Sequence, residues 1–323
     1  MSPLLEVRDL RVTFPLATGP IVPVDGVSFS LDRGETLALV GESGCGKSLT
    51  SLALIRLLPA PGRVAEGSAI RLGDIDILAL DAEGLRRVRG RRIGMVFQDP
   101  MTSLNPVLRV GDQIAEAVRA HFDVPRAEAM ARARALLTEV GISDPAARLG
   151  AYPHQMSGGM RQRVMIAIAL AAEPELLVAD EPTTALDVTV QAQILEVLDR
   201  LRRARGMAVL LITHDLGIVA GRADRVAVMY AGQIVEEADT ARLFARPSHP
   251  YTRGLLASVP RLTGARTRLT PIAGNVPSPA AWPAACRFHP RCPSAMPRCS
   301  VEVPARLPVE AGHAMRCWLA EQR

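Results

Sequence analysis

Residues 41–48 read GESGCGKS, which has the spacing GxxxxGK[ST] of a phosphate-binding loop. The residues before it, TLALV at 36–40, are apolar enough for a buried strand, and residues 49–58 favour a helix. Glycines let successive backbone N–H groups converge on phosphate oxygens, and a helix that begins near Gly46 adds the positive end of its dipole. The order of strand, loop and helix therefore predicts a site for the phosphates of a nucleotide.

Within this loop, we expect Lys47 to reach the β- and γ-phosphates and the Ser48 hydroxyl to bind magnesium. Lys47 is the only lysine among 38 basic residues, and its compact ammonium suits a phosphate cradle better than a planar guanidinium does. A glycine-rich turn that binds nothing is therefore the weaker interpretation. The other loop residues predicted to bind the nucleotide are Gly41, Ser43, Gly44, Cys45, Gly46 and Leu49, with Cys45 acting as a small filler rather than a ligand.

The composition is that of a globular chain, and 323 residues suffice for one large core and an appendage. The sequence has neither a run of about eighteen apolar residues nor a basic, then apolar N-terminus, so we expect no membrane span and no secretion. A chain that stays in the cytoplasm is not expected to hold structural disulfides. The net charge of +5 is mild and only 3% of residues are aromatic, which argues against a nucleic-acid partner.

The chain alternates between strand-like and helical segments. Alternating residues in 4–40 predict a small antiparallel sheet, and a hairpin is expected around Gly73 and Asp74. Helical periodicity from about 101 to 172 predicts an inserted helical subdomain, after which apolar strands and helices alternate as in an open α/β sheet. We place the main domain at 1–245 and an irregular extension at 246–323, which holds 12 of the 25 prolines.

Several polar residues follow apolar runs, and open α/β sheets bind ligands at the carboxyl ends of their strands. Asp180 suits the magnesium shell, and Glu181 can polarise the attacking water as a general base. Gln98 and His214 could each contact that water, the metal or the γ-phosphate. Phe14 could stack on an adenine base or pack in the core, and the sequence does not separate these two roles.

Six segments in order make the sequence resemble the ATP-binding cassette (ABC) family over residues 4 to about 245. They are GESGCGKS, Gln98, the SGGM signature at 157–160, LLVADE at 176–181, the ALD turn at 185–187 and His214. The resemblance implies an α/β fold: a P-loop NTPase, ABC-type nucleotide-binding domain with an antiparallel β subdomain, a helical subdomain and the irregular, Cys-rich C-terminal extension.

The same resemblance implies a head-to-tail dimer with two ATP molecules in its interface. Each ATP would be held by the loop of one subunit and by the signature of the other, which here is Ser157, Gly158, Gly159 and Met160. Asp187 belongs to the D-loop of such cassettes. Met156 and Met160 replace the commoner Leu and Gln, but the Ser-Gly-Gly that touches phosphate is intact, so we expect the site to work.

The segments FQDPMTSLNP at 97–106, SGGMRQRVMIA at 157–167, HPYTRGLL at 249–256 and CRFHPRC at 286–292 narrow the resemblance. They resemble the ATPase subunits of bacterial dipeptide/oligopeptide importers, most of all the dipeptide-type subunit. This implies a second, homologous ATPase subunit in a heterodimer, two transmembrane permeases contacted by residues 98–106 and the helices that follow, and indirectly a peptide-binding protein. It also implies a peripheral location on the cytoplasmic face of the bacterial inner membrane.

Three alternatives stay open. Nickel and microcin-type peptide transporters share much of the pattern. A soluble cassette protein of translation or DNA repair usually carries two cassettes or a long coiled-coil insertion, and this chain has neither. A non-hydrolysing regulatory cassette is disfavoured by the intact Asp180, Glu181 and His214.

Cys286, Cys292, Cys299 and Cys317 follow the spacing C-x5-C-x6-C-x17-C. A loop-rich segment of this size needs a staple, and four thiolates can bind either zinc or an iron–sulfur cluster. The absence of CxxC pairs favours iron–sulfur, and the family resemblance implies a [4Fe–4S] cluster. Zinc, with His289 or His313 in place of a cysteine, and free thiols are the alternatives.

Overall fold

The computed structural model describes residues 2–17, 19–184, 186–258 and 271–322. In these residues the strands are β1 Leu5–Phe14, β2 Ile21–Leu31, β3 Thr36–Val40, β4 Arg63–Val64, β5 Ala69–Leu72, β6 Ile75–Asp76, β7 Ile93–Val96, β8 Leu176–Asp180, β9 Ala208–Thr213, β10 Arg225–Tyr230, β11 Gln233–Asp239, β12 Arg306–Glu310 and β13 His313–Arg316. The helices are α1 Lys47–Leu54, α2 Ala82–Val88, α3 Pro100–Ser103, α4 Val110–Arg119, α5 Arg126–Glu139, α6 Pro145–Leu149, α7 Gly158–Ala169, α8 Val188–Arg205, α9 Leu216–Val219, α10 Thr240–Ala245 and α11 Pro250–Ala257.

The described residues form two compact units. The first unit comprises the residues up to 31, residues 36–78 and the residues from 212 onward; the second comprises 32–35 and 79–211. The extension that follows residue 245 therefore shares a compact unit with β1 to β6. The domain boundary at 245 and the subdomain limits at 101 and 172 stay predictions.

The first unit contains an antiparallel sheet of order β2-β1-β5-β6, with β4 also paired to β1. In β1, Leu5 and Val7 are buried on one face, and after a register shift Leu10 and Val12 are buried again, as a strand with one apolar face requires. β5 and β6 pair through Leu72 and Ile75. The predicted antiparallel sheet and the predicted hairpin are both confirmed.

A second set of strands in this unit runs in the order β12-β13-β11-β10-β3. β10 lies parallel to β3, whose residues are all buried, and the other neighbours are antiparallel. Tyr230, Tyr251 and Phe288 pack together in the adjoining core.

The extension is not wholly irregular, so that part of the prediction is wrong. It contributes α11 and the hairpin of β12 and β13, and Glu237 of β11 pairs with Ala314 of β13. In β13, His313 and Met315 are buried while the residues between and after them are less so. This alternation is the signal of a strand, but it is only four residues long in a proline-rich sequence.

The second unit contains the strand order β9-β8-β7, with β7 and β8 parallel, and the helices α2 to α8. In α4, Val110, Ile114 and Val118 are fully buried at helical spacing. The helical character predicted for this part of the chain is confirmed in α3 to α7.

The helix after the phosphate loop is shorter than the predicted 49–58. α1 begins at Lys47 and ends at Leu54; Ile55 caps it, and Arg56 has a left-handed backbone with φ of 51°. That backbone cannot continue a right-handed helix.

Within the described part of the chain, every helix is too short or too polar to cross a lipid bilayer.

Candidate nucleotide-binding and hydrolysis site

The phosphate loop joins β3 to α1, as the sequence predicts. Gly46 caps α1 with φ of 106°, and Gly41 has φ of 158°. A Cβ at Gly41 would lie 2.2 Å from the carbonyl oxygen of Met229, and one at Gly46 would lie 2.6 Å from that of Pro23. The surrounding backbone therefore leaves room only for glycine at both positions.

Lys47 lies under this loop and is only 4% exposed. Its Nζ donates hydrogen bonds to the carbonyl oxygens of Gly41 at 2.8 Å and Glu42 at 3.1 Å. The ammonium is thus held against the loop that the sequence assigns to phosphate. Cys45 is fully buried, and burial raises the pKa of its thiol, so it stays a neutral filler. Ser43 and Gly44 are exposed, whereas Ser48 and Leu49 are half-buried.

In the second unit, β8 ends in Asp180 and is followed at once by Glu181, which are 4% and 9% exposed. Glu181 has a left-handed backbone with φ of 47°, a costly conformation that concentrates at functional sites. Its Oε2 accepts hydrogen bonds from Gln98 Nε2 at 3.1 Å and from Thr184 Oγ1 at 2.8 Å. Two of the predicted catalytic residues, Gln98 and Glu181, are therefore in contact.

The predicted magnesium ligands have suitable chemistry. Magnesium prefers oxygen ligands and in phosphate-transfer sites uses one or two protein groups together with the substrate phosphates. The Ser48 hydroxyl, the Gln98 amide oxygen and the buried Asp180 carboxylate meet this requirement. Ser48 belongs to the first unit and the other two belong to the second, so their joint role stays a prediction.

His214 follows β9 directly and is exposed. The next residue, Asp215, caps α9 by accepting a hydrogen bond from the Gly217 N–H at 2.7 Å, which fixes the turn that carries the histidine. Phe14 is half-buried at the end of β1, and its ring lies so close to Gly62 that a Cβ there would approach it within 2.5 Å. Both roles considered for Phe14 stay predictions.

The signature begins α7. Ser157 is its N-cap, and its Oγ accepts a hydrogen bond from the Met160 N–H at 3.3 Å. Ser157 and Gly158 are exposed, and a Cβ at Gly159 would lie 2.6 Å from Cγ1 of Val190. The helix N-terminus is therefore accessible to an anion.

Met156, which precedes the signature, and Asp187 of the ALD turn also have defined places in the structure. Met156 is buried at 4% exposure, where its flexible, apolar side chain can fill the available space. Asp187 caps α8 by accepting a hydrogen bond from the Val190 N–H at 3.0 Å. Ala185 of the ALD turn lies outside the described residues.

The four cysteines of the extension form no disulfide bonds with one another. Burial is the main cause that raises the pKa of Cys286, Cys292 and Cys317, and the neighbouring thiols raise it further, so these groups lie near one another. Nevertheless, among the described residues no group of three or more His, Cys, Asp or Glu side chains is arranged to hold a metal ion.

The two histidines of the zinc alternative, His289 and His313, each have one ring nitrogen against an oxygen atom and not against a thiol. Nδ1 of His289 lies 2.8 Å from the carbonyl oxygen of Cys286, and Nε2 of His313 lies 2.7 Å from Oε1 of Glu236. The arrangement therefore does not support the predicted [4Fe–4S] cluster or zinc site.

Four residues were not anticipated as part of the site. Thr184 donates a hydrogen bond to Glu181, and Tyr251 and Arg291 both contact Glu42, a residue of the phosphate loop. Tyr251 and Arg291 lie in segments whose pattern indicated only a subfamily. No local signal in the sequence couples them to a loop more than 200 residues away, because the contact is tertiary.

Comparison with known proteins defines the class. A family model described as ABC transporter matches residues 24–184, and a second, described as oligopeptide/dipeptide transporter, C-terminal region, matches residues 235–299. A solved dimeric ATP-binding cassette in a post-hydrolysis state, bound to ADP and Pi, superposes with a TM-score of 0.66 at 26% identity, covering 73% of this chain and 98% of that one. The fold is that of an ABC-type, P-loop ATPase cassette.

Relatives that match over nearly their whole length have a higher sequence identity to this chain than that solved cassette has. The oligopeptide transport ATP-binding protein AppD of Bacillus subtilis is 50% identical over 100% of this chain and 98% of its own length. The dipeptide transport ATP-binding protein DppD of the same organism is 49% identical over 100% and 96%, and a probable peptide ABC transporter ATP-binding protein of Sinorhizobium fredii is 52% identical over 99% and 96%. The chain belongs to the oligopeptide/dipeptide family of ABC transporter ATP-binding subunits.

Proposed function

We propose that this chain is the ATP-hydrolysing subunit of an ABC importer of di- and oligopeptides, peripheral on the cytoplasmic face of the bacterial inner membrane. The observation that carries the hydrolytic part is Glu181, a buried carboxylate in a left-handed conformation that is bonded to Gln98. The peptide substrate is supported by the names of relatives that match over their full length.

ATP binding is assigned to the phosphate loop. Backbone N–H groups of the loop residues other than Glu42 would contact the phosphates, namely those of Gly41, Ser43, Gly44, Cys45, Gly46, Lys47, Ser48 and Leu49. Lys47 would also neutralise the β- and γ-phosphates, and Phe14 would stack on the adenine. Magnesium, when bound, neutralises charge between the phosphates; Ser48, Gln98 and Asp180 are the side chains that would hold it or its waters.

Hydrolysis is assigned to Glu181 as the general base that takes a proton from the attacking water. Gln98 and His214 would contact that water or the γ-phosphate. The hydrogen bonds from Gln98 and Thr184 both end on Oε2 of Glu181 and orient its carboxylate, which reduces the reorganisation that the base would need when the reaction starts.

Turnover is proposed to need a second, homologous ATPase subunit in a heterodimer. Ser157, Gly158, Gly159 and Met160 would contact the ATP of the partner, with the N-terminus of α7 aimed at its γ-phosphate. Asp187 would lie in the D-loop between the two sites. Two transmembrane permeases and indirectly a peptide-binding protein complete the assembly, which involves no nucleic acid.

We retain a metal centre as a separate, testable proposal for Cys286, Cys292, Cys299 and Cys317, with [4Fe–4S] ahead of zinc. Its support is that, besides burial, the neighbouring thiols raise the pKa of Cys286, Cys292 and Cys317, so the four cysteines lie close together. Against it, the described part of the chain contains no preformed group of metal ligands. Iron, sulfide and zinc analysis of anaerobically purified protein decides: colourless protein with stoichiometric zinc, or with no metal, contradicts the cluster.

Purification from membranes tests the importer. The tagged chain should co-purify with two polytopic permeases and a second ATPase, and the complex should hydrolyse ATP faster when a peptide-loaded binding protein is added. Recovery with ribosomes or DNA instead, or stimulation by nickel rather than by peptides, contradicts the proposal.

A further inference from the structure

We propose that the segment CRFHPRC at 286–292, here called the clamp segment, fixes the shape of the phosphate loop, and that Arg291 is a positioning residue for nucleotide binding. The proposal rests on the assignment of the loop to ATP. The clamp segment belongs to the extension, beyond the six elements that define the cassette, and it reaches the loop by two independent routes within the first unit.

The first route is a bidentate ion pair. Nη1 of Arg291 lies 2.7 Å from Oε2 of Glu42, and Nη2 lies 3.0 Å from Oε1. The arginine side chain is 5% exposed and the carboxylate 31%. A forked pair of this kind fixes orientation as well as distance, and the pairing with Glu42 is the main cause that raises the pKa of Arg291.

Glu42 is placed to pass this constraint to the nucleotide site. It is the second residue of the loop, and its carbonyl oxygen accepts a hydrogen bond from Lys47 Nζ at 3.1 Å. Its backbone N–H donates to Oη of the buried Tyr251 at 3.0 Å. The ring of Tyr251 packs on Phe288 of the clamp segment, with centroids 5.3 Å apart. Glu42 is therefore held by both its backbone and its carboxylate.

The second route runs through the turn after β10. Arg287 donates a hydrogen bond to the carbonyl oxygen of Ala231 at 2.5 Å, pairs with Asp25 and lies 4.1 Å from the Trp282 ring. The next residue in the turn, Gly232, donates its N–H to the carbonyl oxygen of Cys45 at 2.8 Å. The clamp segment thus supports the loop at two points, Glu42 and Cys45.

A glycine-rich loop benefits from such support. Gly41, Gly44 and Gly46 all have positive φ, and glycine loses more conformational freedom on ordering than any other residue. A loop already held in shape does not bear that cost when the nucleotide binds. Loss of the support should therefore weaken nucleotide binding more than it slows the chemical step.

The simpler interpretation is that the ion pair only attaches the extension to the cassette. In that case, removing Arg291 lowers the stability of the protein but leaves the affinity of the folded protein for nucleotide unchanged. The affinity for nucleotide, measured on folded protein, distinguishes a positioning role of Arg291 from a purely structural one.

The experiment measures the Kd of MgADP by calorimetry for the full chain and for the variants R291A, R291K, E42Q and E42Q/R291A. Arg298→Ala is the matched control, because Arg298 is likewise paired with carboxylates, those of Glu302 and Glu321, but both lie within the extension. We expect R291A and E42Q to raise Kd about tenfold, which corresponds to the loss of one charge-assisted contact. R291K should recover part of the affinity, the double variant should bind no more weakly than R291A, and R298A should bind within about twofold of the wild type.

In the assembled transporter, R291A should raise the KM for ATP more than it lowers kcat. A Kd within about twofold of the wild type in folded R291A, or additive losses in the double variant, overturns the proposal. If R291A does not fold, E42Q decides in its place. Failure of the wild type itself to bind MgADP would instead overturn the ATP assignment on which the proposal rests.

Discussion

Gln98 Nε2 donates a hydrogen bond to Glu181 Oε2 at 3.1 Å, joining the second residue after β7 to the first residue after β8. The two residues are 83 positions apart in sequence. β7 and β8 are parallel neighbours, so their carboxyl ends meet at one edge of the sheet. This contact brings two of the predicted catalytic side chains together.

Glu181→Gln should nearly abolish ATP turnover while ATP binding stays intact. The amide keeps the size and the contact with Gln98 but cannot take a proton from water. Loss of a general base costs about 10²–10⁴-fold in rate. Steady-state phosphate release and equilibrium ATP binding measure the two effects; normal ATPase activity in this variant would overturn the assignment of the base.

Thr184→Val should lower kcat by about tenfold, because it removes one hydrogen bond to a charged group. A tenfold loss in rate corresponds to about 1.4 kcal/mol, which is close to the contribution of one such bond. The Thr184 hydroxyl donates to Oε2 of Glu181 at 2.8 Å and is the second contact that orients the carboxylate. Thr184→Ser, which keeps the hydroxyl, is the control and should restore most of the rate. Equal rates for Val and Ser would show that the hydroxyl has no role.

Ser157→Arg should stop turnover without changing the affinity of the isolated chain for MgADP. Ser157 is exposed at the start of α7, and in the proposed dimer it contacts the ATP of the partner rather than that of its own chain. Sedimentation in the presence of ATP should show loss of the dimer. Weaker nucleotide binding by the isolated variant would mean that the signature serves its own site.

His313→Ala should destabilise the protein by about 1–3 kcal/mol, the cost of leaving a buried acceptor with one donor fewer. Glu236 is fully buried and accepts from His313 Nε2 at 2.7 Å and from the N–H groups of Ser248 at 2.6 Å and His249 at 2.9 Å. Urea unfolding measures the change. His154→Ala, at an exposed position, is the control. An equal loss of stability in that variant would show that the buried pair of His313 and Glu236 makes no special contribution.

His249 should make stability fall as the pH falls. Burial is the main cause that lowers its pKa to about 3, and its Nδ1 accepts a hydrogen bond from the Tyr251 N–H at 3.1 Å. Between about pH 6.5 and 3 the unfolded chain binds a proton at this residue and the folded chain does not. The free energy of unfolding therefore rises with pH in that window, and the contribution of His249 is complete above it.

The measurement is urea unfolding at several pH values for the wild type and His249→Asn, which can still cap α11. The wild type should lose up to about 1.4 kcal/mol per pH unit more than the variant within that window. Parallel curves for the two proteins would show that His249 does not titrate on unfolding.

The sequence alone determined the local parts of this protein. The glycines of residues 41–48 and the apolar run before them predict strand, loop and helix, because local backbone conformation and burial suffice to define that motif. The same holds for Asp180 and Glu181 at the end of β8 and for Ser157 at the start of α7, each of which depends on neighbours within a few residues. The family followed from the order of these motifs.

Only the tertiary structure decided how these parts are held. Thr184 beside Glu181 depends on a left-handed turn at a non-glycine residue, which the sequence does not reveal. The pairing of Arg291 with Glu42 and that of His313 with Glu236 span 249 and 77 residues. Local propensity carries no information about such contacts, because they arise from the packing of an extension that the sequence indicated only as irregular.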